Sequence, residues 1–321
     1  MSSNAGKEKF KSKIGGQAVI EGVMMRGIDK ASMANRMPDG TIDLEVWDIK
    51  GGKNPAWYRK TPFVRGIFNF VTSMMDGYKC ISRSADKQMT DEDMEEPTKF
   101  EKWLDDKLGD KLMPIVTGIS MVIGVVMAMF LFMWVPTALI KLVEKLSGAE
   151  FNTVVKNVIE GLLKIAIFIG YTAVTALMPS MKRLYEYHGA EHKTIACYEA
   201  ETELTPENVK GFTRFHPRCG TSFIFLVLFI SIFVNTIFRL SWANIPLRVL
   251  CKLALLPVVT GIAYELIRLA GKYTNPVTKA FSAPGLWIQR ITTREPDEKE
   301  IECAISALKA VIPENKEDDQ W

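Results

Sequence analysis

The chain has 321 residues, 48% of them hydrophobic and 24% charged, with 40 Lys/Arg against 37 Asp/Glu and a formal net charge of +3. That near balance argues against strong electrostatic steering of nucleic acid, and five scattered cysteines (Cys80, Cys197, Cys219, Cys251, Cys303) argue against a disulfide framework and for a reducing compartment. The averages combine two unlike parts: residues 1–112 are rich in charge, and the long apolar runs fall within 113–270.

Met1 to Lys13 is polar and has no apolar h-region, so no cleavable signal peptide is expected and the membrane segments themselves must direct insertion. Residues 14–85 read as a small antiparallel sheet followed by an amphipathic helix. Gln17 to Met25 is an apolar-rich run. Ala31 to Met37 and Thr41 to Ile49 alternate apolar with polar around Pro38-Asp39-Gly40, a turn signal. Pro62 marks a helix start, and Phe63, Ile67, Phe70, Val71, Met74, Tyr78 and Ile81 form one stripe at helical spacing. That stripe can cover the sheet or lie on a bilayer. Residues 86–112 read as an acidic linker and a pre-membrane helix.

Four apolar segments follow: Met113 to Ile140, Val158 to Met178, Thr221 to Phe238 and Leu247 to Ala270. Each is long enough to cross about 30 Å of hydrocarbon at ~1.5 Å per residue. Lys164 and Lys252 interrupt the second and fourth, and snorkelling toward the outer leaflet is the expected accommodation. The regions 1–112, 179–220 and 268–321 carry 19, 6 and 8 Lys/Arg, whereas the two connections on the other side carry three and two. The positive-inside rule therefore predicts that both termini and the 179–220 loop are cytoplasmic. The predicted fold class is an α-helical integral membrane protein with four transmembrane helices and a small N-terminal antiparallel β/α cytoplasmic domain. The bilayer is its expected partner, with membrane proteins or lipid headgroups as further candidates and no nucleic acid. Residues 271–321 read as an interfacial segment, broken by Pro276 and Pro284 and anchored by Trp287, then a terminal amphipathic helix over Pro296 to Val311.

All three histidines, His188, His192 and His216, lie in or beside the loop between the second and third segments. Met181 to Ala200 reads as a helix, with Pro179 marking a break from the preceding span. On it His188 and His192 stand at i and i+4, on one face, and can hold one metal. The string His188-Gly189-Ala190-Glu191-His192 is the inverted zincin order, two ligand histidines with Glu191 as general base for a metal-bound water. Gly189 in its middle costs the helix about 1 kcal/mol. His216-Pro217-Arg218-Cys219 adds a third imidazole and a soft thiolate, so His188, His192, His216 and Cys219 form a candidate tetrahedral zinc set. Four ligands make a closed structural site; three, His188, His192 and His216, leave a position for catalysis with Glu191 as the base. Cys219 as a small buried thiol and His216 as a capping group in a helix-entry loop are the alternatives. Glu199 returns to the same side of the helix as His192. Arg214 and Arg218 flank the site and can hold a carboxylate or phosphate, or act as positive-inside anchors. Glu265 is a candidate extra ligand or acceptor for an imidazole N–H. Glu21, inside an apolar run, needs a partner: Arg26, Arg65 or the metal site.

Several motifs together reach a known family. Gly15 to Gly27, Pro62-Phe63-Val64-Arg65-Gly66, His188 to Thr194, His216 to Phe223, Ser282-Ala283-Pro284-Gly285-Leu286-Trp287 and Thr292-Thr293-Arg294-Glu295-Pro296 resemble the YqhQ-like bacterial membrane proteins over nearly the whole chain after about residue 13. The resemblance implies a metal-dependent enzyme of unknown function in the bacterial cell membrane. The expected activity is hydrolysis at the cytoplasmic face, with a divalent metal, zinc by preference. The alternative is a non-catalytic factor in membrane-protein biogenesis or quality control whose metal is structural.

Overall fold

The computed structural model describes residues 10–89, 107–109, 112–240, 242, 244–273 and 275–320. Most of the linker and pre-membrane helix expected at 86–112 lies outside the described residues.

The N-terminal region forms four strands in sequential antiparallel order, β1 (Gly15–Val19), β2 (Gly22–Arg26), β3 (Lys30–Arg36) and β4 (Ile42–Asp48). The run Gln17–Met25, read from sequence as one strand, is two. Val19 pairs with Gly22, so Ile20 and Glu21 make a two-residue turn. Glu21 adopts φ +48°, and its carbonyl accepts from the Arg36 amide. A strand period cannot reveal a reversal that keeps apolar residues on both sides of it. The turn at Pro38-Asp39-Gly40 forms as expected, with Gly40 at φ +87° and the Asp39 carboxylate accepting from the Thr41 amide and hydroxyl.

After α1 (Trp57–Lys60), helix α2 (Val64–Gln88) begins two residues later than Pro62 suggests, because Phe63 takes φ +64°. Its protein-facing side is not the predicted apolar stripe. Gly66, Gly77, Cys80 and Ser84 are buried, whereas Phe63, Val71, Met74, Tyr78 and Ile81 remain exposed; of the rest of the stripe, Ile67 is half-buried and Phe70 packs on Phe223. The small and polar side thus faces the protein: Gly77 lies on Gln17 of the sheet and Cys80 joins Val19, Met24 and Met33, while Gly66 meets Gly261 and Tyr264 and most of the apolar stripe faces outward.

Among the described residues, four helices have the length and composition to cross a membrane. The first runs from α3 (Leu112–Met129) through a π-helical turn at Phe130–Trp134 into α4 (Val135–Ser147). The others are α5 (Thr153–Thr175), α8 (Gly220–Ile237) and α9 (Ile245–Lys272). Between α5 and α8 lie α6 (Pro179–Glu199), which starts with Pro179 in its first turn, and the short α7 (Pro206–Lys210). The chain ends with α10 (Pro276–Thr292) and α11 (Glu298–Val311). Contrary to the sequence reading, 276–292 is one helix. Pro276 occupies the first turn, where its missing N–H costs nothing. Asn275 and Thr278 form a reciprocal cap, and the single bond lost at Pro284 does not end the helix.

The second face of the sheet carries the main core. Val23, Met25 and Ala34 pack with Tyr187, Ala190 and Ile195 of α6 and with Ile301, Ala304 and Leu308 of α11. The N-terminal sheet, the histidine helix and the C-terminal helix therefore share one core. This core sits where α5 ends, α8 begins and α9 ends: Arg294 donates to the Ala176 carbonyl, and Gly66 of α2 lies on Gly261 and Tyr264. The opposite end of the helices holds a separate polar cluster. Lys164 and Lys252, expected to snorkel, are instead buried there around Glu160.

Candidate metal centre

Helix α6 enters the core with His192 and Glu191 buried and His188 half-buried. Its i, i+4 spacing brings the two imidazoles together, with ring centroids 4.4 Å apart. Gly189, which weakens an isolated helix, has a tertiary purpose. A Cβ at that position would overlap the Arg294 carbonyl, so glycine lets the 292–296 segment lie directly on the helix, where the Arg294 amide donates to the Tyr185 carbonyl at 2.8 Å. That close approach puts the Thr292 carbonyl 2.8 Å from His188 Nδ1. The Arg214 carbonyl is 2.6 Å from His192 Nδ1. Both Nδ1 atoms are thus placed to donate to backbone oxygens, which leaves Nε2 as the atom each ring can offer to a metal.

Cys219, the N-cap residue of α8, completes the cluster. Its Sγ lies 3.2 Å from His188 Nε2 and 3.2 Å from Thr221 Oγ1. One ligand atom each from His188, His192 and Cys219 falls within 4.8 Å of the others. His216 stands next to this trio, its ring centroid 5.4 Å from that of His192, but its Nε2 faces the Arg218 guanidinium at 3.0 Å. The backbone of His216 is held by Gln289, whose Oε1 accepts from the His216 amide and whose Nε2 donates to the His216 carbonyl. Of the four ligands expected from sequence, three converge, and His216 is turned to another partner.

Electrostatics within the trio are strongly coupled. Burial pushes the Cys219 thiol up, but the His188 and His192 rings outweigh it and hold the thiol well below its ordinary range. Burial lowers His188, and the adjacent Cys219 thiolate reverses this to about 9. His216 is lowered, first by burial and then by Arg218. Glu191 is raised by burial despite the two imidazoles. Among the described residues its buried Oε2 has no hydrogen-bond partner, and Gly16 of β1 lies so close that a Cβ there would stand 2.9 Å from Glu191 Cγ. Two imidazole rings, a thiolate and a buried carboxylate with an unused oxygen fit a divalent zinc-type ion with three protein ligands, whose binding would displace the proton that Cys219 holds on His188.

The remaining predicted residues are placed as follows. Glu199 ion-pairs with Arg218 and accepts from the Ser12 amide, so Arg218 links Glu199 to His216. The Arg214 side chain bonds the Thr293 carbonyl and Glu295. Glu265 does not reach an imidazole; its carboxylate takes Arg65 Nε at 2.7 Å and the Phe63 amide, because α2 crosses that end of α9. Glu21 joins neither the metal cluster nor Arg26 nor Arg65. It accepts from Arg183 Nε and from the Tyr187 hydroxyl at 3.0 Å, and Arg26 pairs with Asp76. Gln289 and the Thr292 carbonyl were not found from sequence. A lone polar residue in an apolar helix face is the only signal for Gln289, and backbone acceptors carry none. A cleft of about 420 Å³ opens beside the cluster, lined by Glu186, Arg214, Arg290, Thr293, Arg294 and Glu295 among others.

Residues 61–314 match the family model described as "Protein of unknown function (DUF1385)". The chain belongs to this family. It is also 34% identical over 307 residues to the uncharacterized protein YqhQ of Bacillus subtilis (strain 168), covering 95% of this chain and 94% of that one. No solved structure matches it. Neither comparison carries an activity or a metal, so the metal-enzyme description implied by resemblance gains nothing from them.

Proposed function

We propose that the chain crosses a bacterial cell membrane four times, with both termini and the histidine segment in the cytoplasm, and acts there as a metal-dependent hydrolase. The membrane reading is supported by the four apolar helices and by the outward apolar stripe of α2. The topology is supported by the shared core of sheet, α6 and α11 at one end of those helices, as an even number of crossings requires.

The catalytic reading is carried by one observation: two imidazoles with Nδ1 committed to backbone carbonyls, a thiolate beside them, and the unpartnered Glu191 Oε2 next to that trio. His188, His192 and Cys219 would hold the ion. A bound zinc supplies Lewis acidity, acidifying water and polarising an acyl or phosphoryl oxygen. Glu191 Oε2 accepts the proton that hydrolysis must remove. The Thr292 and Arg214 carbonyls fix the imidazole tautomers, and the arginines of the cleft hold a substrate carboxylate or phosphate. The test is metal content and cellular phenotype in parallel. Glu191→Gln keeps the metal and the fold and loses the phenotype, whereas His188→Ala loses the metal. A silent Glu191→Gln would reject catalysis.

One observation favours a structural metal in a biogenesis or quality-control factor. His192 and Cys219 are 1% and 6% exposed, and none of the trio lines the cleft. In that reading His188→Ala unfolds the cytoplasmic core and Glu191→Gln changes nothing.

A further inference from the structure

The end of the helices opposite the histidines contains an unbalanced set of buried charges. Glu160 of α5 is 1% exposed and is met by three cations: Arg248 Nη2 at 2.7 Å, Lys164 Nζ at 3.0 Å, and Lys252, also in direct contact. Arg248 is 2% exposed, Lys252 6% and Lys164 7%. Glu160 and Lys252 lie seven residues into their helices, about 10 Å from the ends at ~1.5 Å per residue. The remaining partners are neutral: Asn157 Oδ1 and the Leu240 carbonyl accept from Arg248, and Asn157 Nδ2 donates to the Asn235 carbonyl.

Three cations around one carboxylate leave an uncompensated positive charge in an environment where burial of unpaired charge is costly. The donors are also in excess. Among the described residues, Arg248 Nε and Trp242 Nε1 are both buried without an acceptor, and the Arg248 guanidinium carbon lies 3.8 Å from the Trp242 ring centroid, so the two residues that carry these N–H groups are in contact. Loss of protons from the lysines would reduce the charge but would leave both N–H groups unsatisfied. An oxyanion corrects both defects at once.

We propose that this cluster is a binding site for a phosphate group, held by Arg248, Lys252 and the Trp242 N–H, at the face of the protein opposite the metal centre. The site is independent of the metal reading. The source of the phosphate is either a phospholipid headgroup, which requires the membrane reading, or a free ion.

The test uses the full chain in nanodiscs. In one arm, inorganic phosphate is titrated at constant ionic strength into protein in phosphatidylcholine. In the other, the phosphatidylglycerol fraction is raised without phosphate in the buffer. Thermal stability is read in both. Saturable stabilisation is expected in one arm, identifying the source. Its midpoint should weaken roughly tenfold in Trp242→Phe, which keeps the ring and removes only the N–H, and should disappear in Lys252→Met. No saturation in either arm, including a stability that responds only to pH, overturns the site; so does saturation unchanged in both variants. A chain that fractionates away from membranes would refute the membrane reading and the lipid arm, while the inorganic phosphate arm would still decide the site.

Discussion

His188 Nε2 lies 3.2 Å from Cys219 Sγ while the opposite nitrogen of the same ring faces the Thr292 carbonyl at 2.8 Å. The imidazole is oriented from behind by the backbone, and its Nε2 shares a hydrogen bond with the Cys219 sulfur. This relationship puts Cys219 in the place that the catalytic reading of the sequence gave to His216 as third ligand. Full chain purified from metal-supplemented cells is expected to carry about one zinc. Cys219→Ala and His192→Ala should lose it, and His216→Ala should keep it, as read by elemental analysis. Loss in His216→Ala with retention in Cys219→Ala would reverse the ligand assignment.

Gly189→Ala discriminates local from tertiary effects by sign. Helix propensity alone favours alanine by about 1 kcal/mol. The overlap with the Arg294 carbonyl, a backbone atom that cannot rotate away, should cost more, typically about 1–3 kcal/mol for overpacking. Thermal unfolding should therefore show a destabilised variant. An unchanged or raised melting temperature would mean that the 292–296 segment does not rest on α6.

Glu300 sets a pH dependence. Its side chain is fully buried, and burial raises it to about 7 although the Asp297 amide and Arg183 favour the charged form. The folded carboxyl therefore binds its proton more tightly than the unfolded one, whose ordinary value is 4.5. The folded state holds more protons between those values, so stability falls as pH rises from about 4.5 to about 7 and levels off above, with a slope of at most ~1.4 kcal/mol per pH unit. Melting curves of wild type and Glu300→Gln across pH 5 to 8 should converge at the acidic end and separate toward neutrality. Parallel curves would remove Glu300 as the cause.

Reporter fusions test the orientation. A fusion after Lys210, between α7 and α8, should report cytoplasm, and one after Lys145, near the end of α4, should report the opposite side. A fusion at Lys210 exported from the cytoplasm would place the histidine cluster on the other face and remove the hydrolytic proposal in its present form.

Sequence by itself determined the elements and the neighbourhood. Hydropathy located all four apolar helices, alternation and Pro38-Asp39-Gly40 located the sheet, and i, i+4 spacing paired His188 with His192, because each of these signals is local and periodic. Tertiary structure alone decided what depends on side chains meeting across the chain. It chose Cys219 over His216 through the path of the 214–219 segment, assigned Glu21 to Arg183 and Glu265 to Arg65, and turned the greasy side of α2 outward. It also buried Lys164 and Lys252 together with Glu160. Glu160 and Lys164 stand at i, i+4 on one helix, but no local rule brings Arg248, 88 residues away from Glu160, and Lys252 against them. Periodicity fixes which face a residue occupies; only packing fixes what that face meets.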